Sequence, residues 1–379
     1  MRVVHISDPH LGYRAYNRVT PAGINVREAD VFNAFRAALR RTAEIAPDLI
    51  VIAGDLFHVV RPSNLTIQHT FREFLSLRQK SNAPIVIIGG NHDSPRSVDT
   101  GCILDLYAHL PGVYVAHTEY VQIPLKDLDT SVFCLCHRAL PQLSSLKIEP
   151  DPSSKYNVLV AHGTVEGIVR NAYDLVEISR SQVLSDGWDY IAFGHYHVFE
   201  KLADNAYYSG SLEYTSTSIW GEASQPKGFV EYDLDQRSLL QFHEIETREV
   251  IDLRPIDASG ITAAELDRAI EQRIMAIKGG WKNKIIRLVV QNVPRSVQAD
   301  LDYAAIRRIR SEALHFELQL RPPQVVRRDD HLLRDAGPAR PLEAEWEEFA
   351  KTCQIAPGID REHLAALGRE YLLKQAAAE

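Results

Sequence analysis

Residues 48–55 read DLIVIAGD. Leu49 to Ala53 are five apolar residues in a row, closed by Gly54 and Asp55. A run this short, without alternation, marks a strand buried on both faces. Working outward, RVVHIS at 2–7 and PIVIIG at 84–89 have the same shape, and each also runs into polar residues. Two helical patterns lie between them. The segment from Glu28 to Ala46 has Val31, Phe35, Ala38, Leu39 and Ala43 at helical spacing, and Pro47 stops it. Residues 64–80 make a second helix, closed before Pro84. Strand–helix–strand alternation predicts an α/β layered fold with parallel central strands. VFCLCH at 132–137, NVLVAHG at 157–163 and DYIAFGHYH at 189–197 follow as further short apolar strands. Residues 206–246 read as an antiparallel run.

The pattern changes near residue 249. A helix over 264–277 capped by Thr262, a strand over 284–290, a helix over 302–313 and a strand over 314–320 predict a small mixed α/β domain. The expected organisation is a first domain over 1–248 and a small domain over 249–323. A charged linker over 324–341 then leads to a helical tail over 342–379. In that tail Asp360 is a helix N-cap.

Composition narrows the class. The 379 residues are 45% hydrophobic and 24% charged, which excludes disorder as the main content. No stretch of about 18 residues is apolar enough for a membrane span, and MRVVHISDPH reads as a strand, with no leader pattern. Cytoplasm and no membrane are the expectations. Cys102, Cys134, Cys136 and Cys353 suggest neither a disulfide framework nor a zinc site. The net charge of −8 argues at first against nucleic acid, but it is uneven. Residues 261–330 hold 13 Lys/Arg against 9 Asp/Glu, whereas 341–379 hold 4 against 8.

The 15 histidines are the better clue, because six of them stand at strand ends. The polar residues there are Asp8 and His10; Asp55 and His58; Asn91, His92 and Asp93; His162; and His195 and His197. Side chains at the carboxyl ends of parallel strands converge on one crevice. Asp, His and Asn supply oxygen and nitrogen ligands without thiolate, a set suited to Mn, Fe, Zn or Mg. In D-x-H and H-x-H, residues i and i+2 of a strand point the same way. Asp55 can bridge two cations, Asn91 adds a neutral oxygen, and Gly89 and Gly90 let the backbone turn tightly. Seven ligands with one shared carboxylate make two four-ligand sites, a device for in-line attack on phosphorus by metal-activated water. A single strand-end histidine is ordinarily a structural hydrogen-bonder. Five strand ends that all finish in metal-competent residues are not explained that way.

These five signatures, DPH, GDLFH, GGNHD, AHG and GHYH, resemble those of the calcineurin-like metallophosphoesterases. Within that superfamily the chain looks most like the SbcD-type DNA-repair nuclease subunits, through HISDPHLGYRAY, the Phe57–His58 pair and the small domain plus helical tail. The resemblance implies an α-β-β-α sandwich with a DNA-binding cap over 249–323. It implies two divalent ions, Mn²⁺ first, with Mg²⁺, Fe²⁺ or Zn²⁺ as alternatives. Asp8, His10, Asp55 and His197 would hold one ion, and Asp55, Asn91, His162 and His195 the other. His92 resembles the family's catalytic histidine, which contacts phosphate and protonates or stabilises the leaving oxygen. His58 would steady the transition state or orient His92. Asp93 would orient His92 by accepting its other N–H, or would cap a turn.

The implied partners are DNA, a second copy of the chain through helix 64–80, and an SMC-like ATPase of the SbcC type docked on the tail helices. The implied activity is Mn-dependent exo- or endonuclease action in repair or end processing. The competing readings are a phosphatase or phosphodiesterase of the same superfamily with a small-molecule or phosphoprotein substrate, and a non-catalytic scaffold.

Overall fold

The computed structural model describes residues 1–95, 100–168, 176–323, 342–353 and 360–376. The linker expected over 324–341 lies outside the described residues. The chain divides into two compact units, Met1–Pro322 and Pro323–Glu379.

The first unit is built on two six-stranded sheets. Numbered by chain position, the first sheet has the order β12 (Ser238–Glu244), β11 (Gly228–Asp233), β1 (Arg2–Ile6), β2 (Leu49–Ile52), β3 (Ile85–Ile88), β4 (Val113–Ala116). The four strands β1 to β4 are parallel, as the alternation predicts. The second sheet has the order β5 (Val121–Leu125), β6 (Thr130–Leu135), β7 (Tyr156–His162), β8 (Tyr190–Gly194), β10 (Ala206–Tyr208), β9 (Glu200–Ala203). The antiparallel run expected over 206–246 is only partly present. β11 and β12 form that hairpin, but β10 pairs parallel to β8.

Alternation along the strands assigns the two faces of the first sheet. Val4, Ile6, Ile50, Ile52, Ile85 and Ile87 pack under helices α1 (Val26–Ile45) and α2 (Asn64–Arg78), against Val31, Phe35, Leu39, Phe74 and Leu77. Val3, Val51, Ala53, Val86 and Ile88 share a core with the second sheet, through residues such as Val132, Val158, Val160, Tyr190 and Ala192. Leu140 and Leu143, from the 3₁₀ segment His137–Ser145, also join that core. The architecture is mixed α/β, a stack of two sheets with helices α1 and α2 packed on the first. Caps set the helix starts. The Asn25 side chain accepts the N–H groups of Arg27 and Glu28, and Ser63 accepts that of Thr66.

A third, all-parallel sheet has the order β13 (Val250–Asp257), β14 (Ile285–Gln291), β15 (His315–Leu320). Helices α3 (Ala263–Met275) and α4 (Tyr303–Glu312) connect its strands, and Leu266, Ile270, Ile306 and Ile309 cover it. Thr262 and Glu265 close a capping box on α3. This sheet belongs to the same compact unit as the two larger ones. Arg248 bonds to both Asp30 carboxylate oxygens and to the Asn283 carbonyl, and the Tyr16 ring stacks on His315 at 4.1 Å.

In the second unit, α5 (Leu342–Thr352) and α6 (Arg361–Ala376) pair with each other. Trp346 Nε1 donates to the Ala365 carbonyl, and Asp360 accepts the N–H of His363 as its cap. Among the described residues, no helix is long and apolar enough to cross a membrane.

Candidate metal centre

The candidate ligands converge because both sheets deliver them to one place. Beyond β1, the backbone of residues 8–11 runs along that of 54–56. Asp8 N–H donates to the Gly54 carbonyl, His10 N–H to that of Asp55 and Leu11 N–H to that of Leu56. This sets Asp8 and His10 beside Asp55. From the second sheet, His162 ends β7 and His195 and His197 follow β8. Asp8 ties the two sheets together, since its carboxylate oxygens accept the N–H of His195 at 3.1 and 3.0 Å.

Strand alternation is not what aims Asp8 with His10, or His195 with His197. β1 ends at Ile6 and β8 at Gly194, and the backbone beyond them turns left-handed. Asp8, His10, Asp55 and His195 have φ of 50°, 47°, 48° and 95°. A non-glycine residue held there costs on the order of 1–3 kcal/mol, so four candidate ligands sit on strained backbone. Such strain persists only where the surroundings fix it, and it aims side chains in directions a regular strand does not offer.

The ligand atoms fall into groups. Those of Asp8, His10 and His197 lie within 4.8 Å of one another, as do those of Asp55, His162 and His195. One Asp55 oxygen faces both groups, 3.7 Å from His10 Nε2 and 3.4 Å from His162 Nε2. The Asn91 amide oxygen is 3.0 Å from His195 Nδ1 and 3.1 Å from His162 Nε2. His10 Nε2 and His197 Nε2 face each other at 3.0 Å. His162 Nδ1 donates to the Ala53 carbonyl at 2.8 Å, which leaves its Nε2 lone pair directed at Asp55 and Asn91.

The electrostatics ask for cations. Asp8, His10, Asp55 and His162 are buried. Burial pushes the Asp8 carboxyl up to about 7, with His162 opposing and Asp55 adding. Burial works against a charged His162, yet Asp55 and Asp8 raise it to about 10. Burial, with its neighbouring histidines, holds His10 well below its usual range, despite Asp55. The pocket therefore gathers lone pairs and carboxylates in a buried space, where protons on Asp8 or His162 are the alternative to a cation. Buried acceptors that face acceptors fit divalent cations, and the oxygen and nitrogen donors fit Mn²⁺, Fe²⁺, Zn²⁺ or Mg²⁺.

A third group comprises His10, His58 and His92, also within 4.8 Å. His92 is placed from both ends. Its N–H donates to Asp55 Oδ1 at 2.8 Å, and its Nδ1 donates to the His58 carbonyl at 2.9 Å. The expected hydrogen bond from His92 to Asp93 is not made. Asp93 accepts the N–H of Leu56 and that of Gly90, both at 2.8 Å. It clamps the 89–93 turn onto the end of β2, which is the turn-cap alternative. The His58 ring stacks on His92, 5.0 Å between centroids, and meets Tyr13 edge-on.

Gly90 matters for space. It has no positive φ, contrary to the tight-turn expectation, but a Cβ there would fall 2.0 Å from Asp55 Oδ1. Gly90→Ala is therefore expected to displace Asp55 and to weaken metal binding by about 10–100-fold, as lost ligand support does. Calorimetric titration with Mn²⁺ would show it, and unchanged affinity would refute the crowding argument.

A family model described as calcineurin-like phosphoesterase matches residues 1–199, more than half of the chain. The chain belongs to the calcineurin-like phosphoesterases. The DNA double-strand break repair protein Mre11 of Archaeoglobus fulgidus is 30% identical over 312 residues, 73% of this chain and 68% of that one. Mre11 of Methanocaldococcus jannaschii is 26% identical over 276 residues, covering 70% and 72%. The SbcD component of the nuclease SbcCD from Staphylococcus saprophyticus is 25% identical over 298 residues, covering 72% and 74%. With its family the chain is a metal-dependent phosphodiesterase, and that family uses a dinuclear divalent metal centre.

Sequence patterns did not reveal one part of this phosphoesterase site. Lys227, Glu222 and Ser211 form a buried network against the His197 carbonyl. Nothing local in QPKGFV marks Lys227 as a neighbour of a candidate ligand 30 residues earlier.

Proposed function

We propose that this phosphodiesterase is a Mn²⁺-dependent DNA nuclease, acting on DNA ends or within strands in repair or end processing. One observation carries the reading. Seven oxygen and nitrogen donors from five strand ends meet at one place, and His92, outside that set, is fixed beside them. The relatives named as break-repair proteins and as part of a nuclease supply the DNA.

Two bound divalent ions would neutralise phosphate charge and make water nucleophilic near neutral pH. Asp8, His10, Asp55 and His197 would hold one, and Asp55, Asn91, His162 and His195 the other. The remaining residues work on the proton and the geometry. With its Nδ1–H committed to the His58 carbonyl, His92 would face the phosphate with Nε2, and in its imidazolium form the Nε2–H would stabilise the leaving sugar oxygen or pass its proton to it. His58 orients His92 through that carbonyl and its stacked ring. Asp93 acts at one remove, by fixing the turn that carries Asn91 and His92.

The test incubates the protein with Mn²⁺ or EDTA and labelled single- and double-stranded DNA, beside a chromogenic phosphomonoester. Metal-dependent DNA cleavage is expected. Monoester turnover with intact DNA would sink the nuclease reading.

A homodimer through α2 fits this reading, because Leu65 and Leu75 remain 42% and 41% exposed on that helix. Leu65→Asp with Leu75→Asp is expected to yield monomers in light scattering where the parent chain is dimeric. A dimer that survives both charges would place the contact elsewhere. The segment 249–323 serves as a cap, with Lys278, Lys282, Arg307 and Arg308 available to a phosphate backbone. The tail pair leaves Leu342, Phe349, Leu367 and Tyr371 exposed, which suits docking on an SMC-like ATPase. We place this activity in the cytoplasm.

A further inference from the structure

The histidines of the metal centre are not held alike. His162 is fixed through its ring, whose Nδ1 donates to the Ala53 carbonyl. His197 has no such tether: its Nδ1 is buried with no hydrogen-bond partner among the described residues. It is held through its backbone. The His197 carbonyl accepts from Lys227 Nζ at 2.7 Å and from the Ser211 N–H at 3.1 Å.

Lys227 stands just before β11, with its side chain fully buried. Its three ammonium donors are all used, on the His197 carbonyl, on Ser211 Oγ at 3.0 Å and on Glu222 Oε2 at 2.5 Å. The Tyr214 ring lies 4.9 Å from Nζ. Burying an ammonium costs several kcal/mol in desolvation, and a buried ion pair is a poor source of stability compared with apolar side chains. What distinguishes Lys227 is what it touches: the backbone of a candidate ligand whose ring has no tether of its own, where its ammonium is the charged donor beside the Ser211 N–H. Glu222 completes the arrangement. Without it, an uncompensated positive charge would stand next to a cation position and repel its occupant.

We propose that Lys227, balanced by Glu222, is a positioning residue for His197 and sets how tightly the Asp8, His10 and His197 group holds its metal ion. The proposal rests on the two-metal reading. It makes the two positions unequal, because in the group of Asp55, His162 and His195 the His162 ring has its own tether in the Ala53 carbonyl.

The test is a calorimetric Mn²⁺ titration of the full chain, with circular dichroism as the check on folding. The double variant Lys227→Met with Glu222→Gln removes both charges together and leaves no buried carboxylate unpaired. Two ions are expected to bind the parent chain. In the variant one site is expected to keep its affinity while the other weakens by about 10–100-fold, the range for lost support behind a ligand. Two unaltered sites, or two equally weakened sites in a native-like protein, would overturn the proposal. A parent chain that binds fewer than two ions would instead overturn the two-metal reading itself. Should the double variant fail to fold, Glu222→Gln alone keeps Lys227 and removes its counter-charge. The same one-site weakening is then expected, and unchanged binding overturns the proposal.

Discussion

Asp55→Ala is expected to abolish binding of both metal ions and to lower DNA cleavage by at least about a thousandfold, since ion-assisted attack loses several kcal/mol of charge stabilisation. Three effects make this the most damaging single change. One Asp55 oxygen faces His10 of one group and His162 of the other, so both positions share it. The other accepts the N–H of His92, so His92 is released as well. The third effect is electrostatic. Asp55 is the strongest influence raising His162 against the cost of burial. Calorimetry and a cleavage assay report the two losses separately. Retention of either ion at parental affinity would show that the carboxylate is not shared.

His92→Ala has a different signature. Cleavage is expected to fall by about 10²–10⁴-fold, the range for removing a general acid or base, while both ions stay bound. His92 directs its Nδ1 away from the ligand cluster, onto the His58 carbonyl, and only its backbone N–H touches Asp55. Alanine keeps that N–H. The loss should therefore appear in kcat rather than in metal affinity. If Mn²⁺ titration shows weakened binding in this variant, His92 belongs to the ligand set and the division of roles is wrong. Together the two variants separate holding the ions from moving the proton.

Much of this was legible in the residues because the signals are local. The five-residue apolar run at 49–53 and its counterparts at 2–7 and 84–89 become β2, β1 and β3, buried on both faces. Helix ends followed caps, as with Thr262 and Glu265 on α3 and Asp360 on α6. The candidate ligands were visible because Asp, Asn and His at strand ends have few other reasons to recur there.

The sequence by itself determined the strands, the helices and the type of donor at each strand end, since these depend on neighbours a few residues away. Tertiary structure alone decided how closely the donors meet, because His162, His195 and His197 come from one sheet and Asp8, Asp55 and Asn91 from the other. It also decided that left-handed backbone aims Asp8, His10, Asp55 and His195, where strand alternation was expected. It gave Asp93 to the backbone of Leu56 and Gly90 rather than to His92. And it set Lys227 behind His197, across 30 residues of chain. The physical reason is common to all of these: a hydrogen bond or a shared ligand is fixed by distances between elements, and the packing of two sheets sets those distances.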